Sequence, residues 1–125
     1  MSDQLPKGGI QERSFKFALE VVKLVKEIDD QSWIARTLGK QLLRSGTSIG
    51  ANVEEGQAGQ SRADFINKYK IALKEARETV YWLRLLSESE ECVNQKIPAL
   101  KQEAKEISLI LGSIVIKAKE NSEKP

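Results

Sequence analysis

Gln41–Gly56, QLLRSGTSIGANVEEG, decides the fold, because polar and small residues are set there inside an otherwise apolar helical pattern. Gln41, Arg44, Ser48, Asn52 and Glu55 recur at three- and four-residue spacing, so a helix through this segment carries them as one continuous polar stripe. Gly46 and Gly50, one turn apart, remove side chains beside that stripe and admit a second backbone at close range. Ser45, Gly46, Thr47, Ser48 and Gly50 all have modest or poor helix propensity, and propensity alone would place a loop here. Ile34, Leu38, Leu42, Ile49 and Val53 nevertheless stay in phase across the doubtful middle. Their spacing predicts one unbroken helix, bent at most, of about 24 residues ending at Gly56 and Gly59.

The flanking sequence supplies partners for that helix. Residues 1–9, with Pro6, Gly8 and Gly9, read as a flexible leader. Phe15, Ala18, Leu19, Val22 and Val25 then recur at helical spacing, and Phe17, Val21, Leu24 and Ile28 form a second apolar row, which predicts a first helix over Ile10–Ile28. Asp30 or Ser32 caps the next helix, and Ser61 with Asp64 caps the third. Phe65, Tyr69, Ala72, Ala76, Val80 and Leu83 keep the third helix in phase, Trp82, Leu85 and Leu86 add apolar surface, and 87–95 reads as a polar connection. In the fourth helix Ile97, Leu100, Ala104, Ile107, Leu111, Ile114 and Ala118 alternate steps of three and four, with Leu109, Ile110, Val115 and Ile116 off that seam. The expected fold is all-α, an antiparallel up-down-up-down four-helix bundle over 10–119, with 120–125 as a flexible tail. Surplus apolar rows on helices one, three and four point to self-association.

Composition narrows the chemistry. A chain of 125 residues is expected to be one domain, with one cysteine and therefore no internal disulfide. It has no histidine, which removes Ser-His-Asp and Cys-His catalysis, Cys/His zinc sites and the Glu-x-x-His pairs of di-iron bundles. With no signal peptide and no apolar run long enough to span a bilayer, a cytoplasmic protein without membrane contact is expected. The expectation is a non-catalytic chain with no cofactor, no metal and no small-molecule substrate. The net charge of +2 argues for nucleic acid only if the cations are gathered locally.

Each constellation has a structural and a functional reading. The polar stripe, together with Glu75 and Glu78 on the third helix, is either a paired network inside the bundle or at a subunit interface, or a surface for a ligand or partner. Glu54, Glu55, Glu75 and Glu78 could form a carboxylate metal site, but with Arg44, Lys74 and Arg77 nearby, ion pairing is the expected fate of these acids. Arg36, Lys40 and Arg44 form a basic ridge on the second helix, and Lys70, Lys74 and Arg77 another on the third, with Arg84 beyond it. These are either solvated helix faces or, repeated around an oligomer, a band that neutralises phosphates without reading bases. Trp33, Tyr81 and Trp82 are the aromatics to follow, with Trp82 read as core or interface rather than a stacking platform. Cys92, in the polar connection, is read as exposed and incidental.

QLLRSGTSIGANVEEG followed by SRADFINKYKIALKEARETVYWLRLL resembles the four helix bundle protein family, which includes proteins encoded in intervening sequences of large-subunit ribosomal RNA genes and the accessory variability proteins of diversity-generating retroelements. The likeness runs from Phe15 to Lys117 and is most specific at Gln41, Leu42, Arg44, Ser48, Ile49, Asn52, Glu55, Gly56, Glu75 and Glu78. Gly50 stands where the family pattern has proline, and Val53-Glu54 where it has Ile-Ala. The resemblance implies a ring-like homo-oligomer, typically a pentamer, without enzymatic activity, and for the retroelement members a basic surface that binds nucleic acid and a reverse transcriptase. Two functional classes follow. One is a self-assembling scaffold or adaptor whose partner is RNA, DNA or a nucleic-acid enzyme such as a reverse transcriptase; the other is a purely structural homo-oligomer with a protein partner and no nucleic-acid binding.

Overall fold

The structure, a computed structural model that describes residues 9–123, consists of four helices: α1 (Ile10–Ile28), α2 (Trp33–Gln57), α3 (Arg62–Glu88) and α4 (Lys96–Glu123). α1 packs on α2, α2 on α3, α3 on α4 and α4 on α1, with no diagonal contact among the described residues, so the helices stand at the corners of a square. Short connections make successive helices antiparallel, as expected for an up-down-up-down bundle. The 1–9 leader falls outside the described residues except for Gly9. That residue precedes α1 at φ +57, a conformation glycine adopts without strain. At the other end α4 is helical to Glu123, past the boundary expected at 119; the remainder of the 120–125 tail lies outside the described residues.

α2 is continuous through Gly46 and Gly50, as the phase of its apolar residues requires. Each poor former there costs under about 1 kcal/mol, and packing offsets it. A Cβ at Gly46 would lie 3.0 Å from Val21 Cγ2, and one at Gly50 would lie 3.3 Å from Ser14 Oγ, so the missing side chains are what let α1 lie against α2. Within this helix Thr47 and Ser48 donate their hydroxyls to the carbonyls of Leu43 (2.7 Å) and Arg44 (2.6 Å). Ser32 is the cap, its Oγ accepting from Ala35 N at 2.9 Å, rather than Asp30. Gly56 and Gly59 do not end the helix through a left-handed turn, since Gly9 has the only positive φ among the described glycines. Gly56 is buried inside the last turn against Tyr69, and the chain leaves through Ala58 in a right-handed conformation.

The other helices sort their apolar rows by neighbour. In α1 the buried row is Ser14, Phe17, Val21, Leu24 and Ile28, while Phe15, Leu19 and Val22 of the other row remain exposed, because a corner helix has only two neighbours. Ser61 caps α3 by accepting from Asp64 N at 3.1 Å, but Asp64 Oδ2 accepts from Gln60 N instead of closing the reciprocal pair with Ser61. α3 buries Tyr69, Ala72, Ala76 and Leu83 as expected, and Leu86 besides. α4 keeps its seam to Leu111 and then buries Val115 in place of Ile114, a four-residue step that absorbs the mismatch between 3.5- and 3.6-residue periods. Cys92 is 7% exposed, contrary to the open position expected of it; from the α3–α4 connection it joins the hydrophobic core, and that burial pushes its thiol pKa up. Among the described residues, no helix is long and apolar enough to cross a membrane.

Candidate functional site

The polar stripe of α2 runs along the groove facing α3, and Arg44 is its centre. Its Nη1 donates to Glu75 Oε1 at 3.3 Å, its Nη2 bonds Glu78 Oε2, and its Nε donates to Gln41 Oε1 at 3.3 Å. Glu78 Oε2 also accepts from Trp82 Nε1 at 3.2 Å, which ties that indole into the α2–α3 groove. Beneath the guanidinium, Thr79 Oγ1 donates to Ser45 Oγ at 2.9 Å in a fully buried hydroxyl pair that the sequence pattern does not announce. The stripe is not one network. Ser48 and Asn52 bond carbonyls of their own helix, Asn52 Nδ2 donating to Ser48 O at 2.8 Å, and Glu55 pairs separately with Lys68 at 2.8 Å. Within one chain Gln41, Arg44 and Glu55 are exposed, Ser48 and Asn52 half-buried, and only Glu75 is buried.

This arrangement ranks the side chains. Arg44→Ala strands the buried Glu75 carboxylate and should cost about 1–2 kcal/mol, the half-exposed guanidinium limiting the loss. Glu55→Ala should leave urea denaturation unchanged; equal losses at both positions would show that the stripe acts as a unit after all. Glu54, Glu55, Glu75 and Glu78 do not converge: Glu75 and Glu78 turn to Arg44 and Glu55 to Lys68. Among the described residues, no three acidic or cysteine groups lie close enough to share a metal ion.

The basic residues divide between two sides of the molecule. Arg36 sits at the α1–α2 end and donates from Nη1 to Asp29 O at 3.3 Å, with Lys40 exposed one turn further along α2. Lys70, Lys74, Arg77 and Arg84 lie on the exposed side of α3, away from α2, and Arg77 lines a groove with Leu109, Gly112 and Ile116 of α4. Because the two helices are antiparallel, Arg84, seven residues on from Arg77, falls level with Lys105, seven residues back from Gly112. α4 thus contributes Lys101, Lys105 and Lys117, which lie outside the two ridges of the central helices. Their signal in the sequence was the i, i+4 pair Lys101 and Lys105 on the non-seam side.

Few acids oppose this second group. Among the described residues Lys70, Lys74, Arg77, Lys101 and Lys105 have no ion-pair partner, and Arg84 pairs only with Glu88 on its own helix, at 2.9 Å. The α1–α4 side is the reverse. There Arg13 bridges Glu103 (2.6 Å) and Glu106 (2.5 Å), and Lys96 pairs with Glu27. The bonds to Glu103 and then Glu106 raise the Arg13 pKa; Glu106 is held low by Gln102 and Arg13, and Glu27 by Lys96 and Asn94. Cations therefore outnumber acids on the α3–α4 face of a chain with a net charge of only +2, so the rest of the molecule is net negative.

Opposite the basic face lies an apolar one. Phe15 (56% exposed), Leu19 (46%), Val22 and Leu43 project from α1 and α2, and Phe15 lines a cleft with Ala18, Thr47, Gly50 and Ala51, edged by Gln11 and Glu54. Of the aromatics, Trp82 is half-buried, Trp33 is exposed at the start of α2, and Tyr81 stands exposed among the cations of α3.

Most of the chain is similar in shape and sequence to known proteins. The family described as 23S rRNA-intervening sequence protein matches residues 8–113. The structure is similar, with a TM-score of 0.78, to a crystal structure of a protein of unknown function from the S23 ribosomal protein family of Bacteroides thetaiotaomicron; the two are 44% identical over 85% of this chain and 94% of that one. No curated protein matches the chain. A family match across most of the bundle, the groove motif on α2 included, agrees with the resemblance carried by Gln41–Gly56: the chain belongs to the 23S rRNA-intervening sequence protein family.

Proposed function

We propose that this protein is a non-catalytic, self-assembling adaptor that joins copies through the apolar α1–α2 face and presents the α3–α4 face to nucleic acid, or to an enzyme held on it. The observation that carries this reading is the separation of the two faces among the described residues: exposed apolar side chains on one side, cations in excess of acids on the other. A patch of large exposed apolar groups marks an interface more often than a bare surface. Repeated around a closed ring, such as the pentamer that the resemblance implies, the cation face becomes a continuous band and its affinity for phosphates multiplies. The family is described by an intervening sequence of 23S rRNA and the Bacteroides relative by a ribosomal protein family. Both are nucleic-acid settings and support the reading without naming a ligand.

Leu109 (73% exposed) and Ile116 (60%) favour a second reading, in which the α3–α4 face also meets protein and the oligomer is purely structural. Titration of mixed RNA and DNA at rising salt separates the two. The adaptor reading expects binding at low salt whose logarithm falls linearly with the logarithm of salt, with a slope reduced by about one for each phosphate-contacting cation removed, Arg77→Gln or Lys105→Gln. Absence of binding at low salt, on a sample of defined mass, leaves the structural oligomer.

A further inference from the structure

We infer that the α3–α4 face takes single-stranded rather than duplex nucleic acid, with Tyr81 as the platform on which a base stacks. This rests on the nucleic-acid reading above and adds the class of strand to it. Lys70, Arg77 and Arg84 recur every seven residues along one line of α3, about 21 Å from end to end at 1.5 Å per residue, and Lys74 and Tyr81 lie beside that line. Tyr81 is 56% exposed, between Arg77 one turn before it and Arg84 one turn after. It meets Trp82 edge to face, with ring centroids 5.1 Å apart and planes at 73°. Trp82 is itself anchored through Glu78 to Arg44. The exposed Tyr81 ring therefore has an anchored neighbour against it.

A positively charged track with an exposed aromatic within it is the combination that binds unpaired strands, whose bases can turn outward and stack. Duplex fits the same face poorly. The face is two helices wide, and axes about 8–10 Å apart with helix diameters of about 10–12 Å make a front roughly 20 Å across, too broad for a major groove of about 12 Å. A duplex could meet this face only through its backbone, leaving Tyr81 without a role.

The test is fluorescence anisotropy on the full chain at low salt, with three labelled probes: a short mixed-sequence RNA, the same sequence as a duplex, and polyglutamate of equal charge. The single strand should bind at least about tenfold more tightly than the duplex, and Tyr81→Ala should weaken single-strand binding by about five- to a hundredfold. The same variant should leave duplex binding and the helical circular-dichroism signal unchanged, and Tyr81→Phe should restore single-strand binding. Equal affinity for duplex, or no effect of Tyr81→Ala on the single strand, overturns the inference while leaving nucleic-acid binding in place. Polyglutamate bound as tightly as RNA assigns the face to acidic polypeptides and overturns both, as does binding to none of the probes.

Discussion

Gly56→Ala should lower the melting temperature by about 4–8 °C, although alanine is the better helix former. The added Cβ would lie 2.8 Å from both Cδ1 and Cε1 of Tyr69 and 3.3 Å from Lys68 Cβ. Tyr69 cannot step aside: it is fully buried, its ring stacks on Phe65 with centroids 4.2 Å apart, and its hydroxyl accepts from Gln57 Nε2 at 2.6 Å. Overpacking of this kind costs about 1–3 kcal/mol. The propensity gain of about 1 kcal/mol at most shrinks in the last turn, where Gly56 sits, so the clash wins. Gly112→Ala is the matched control. Nothing lies within 4 Å of a Cβ there, so the same exchange should stabilise by up to about 1 kcal/mol. Thermal denaturation of the two variants checks the contrast, and Gly56→Ala melting at or above the parent chain would show that α2 and α3 pack more loosely than these contacts require.

Phe15→Glu combined with Leu19→Glu should take the assembly apart without unfolding the bundle. Both side chains are about half exposed in the single chain and lie outside the buried row of α1. Their replacement leaves the buried row Phe17, Val21, Leu24 and Ile28 intact. At an interface the new carboxylates would be desolvated without partners, on the order of a few kcal/mol each, enough to shift association by several powers of ten. Light scattering should report a monomer with unchanged helical circular dichroism. An undiminished mass would place the contact elsewhere, with the α3–α4 aliphatics Leu109 and Ile116 the next to examine.

The fold was legible because each helix carries its own phase. The row Leu42, Ile49 and Val53 overrode the loop that Gly46, Thr47 and Gly50 suggest, since burial outweighs propensity when the spacing persists. Less was legible where two rows compete on one helix. Phe15, Leu19 and Val22 are as apolar as Phe17, Val21 and Leu24, and only the positions of α2 and α4 decide which row is covered. The same limit governs the candidate site. Arg44, Glu75 and Glu78 could be grouped from their spacing, and they do meet. Ser48 and Asn52 share their face yet spend their hydrogen bonds on α2 itself, a local alternative that spacing does not reveal. The basic ridges were read one helix at a time, so Arg36 and Lys40 were grouped with residues on another face, while Lys101 and Lys105 joined the α3 ridge only through the antiparallel register of α3 and α4.

The central claim is that the uncovered face of α1 and α2 is covered by another copy of the chain. The mass of the intact protein in solution, by light scattering or native mass spectrometry across a range of concentrations, tests it most directly. The account expects a discrete multiple of 14.0 kDa that persists on dilution, and a single 14.0 kDa species at every concentration would contradict it.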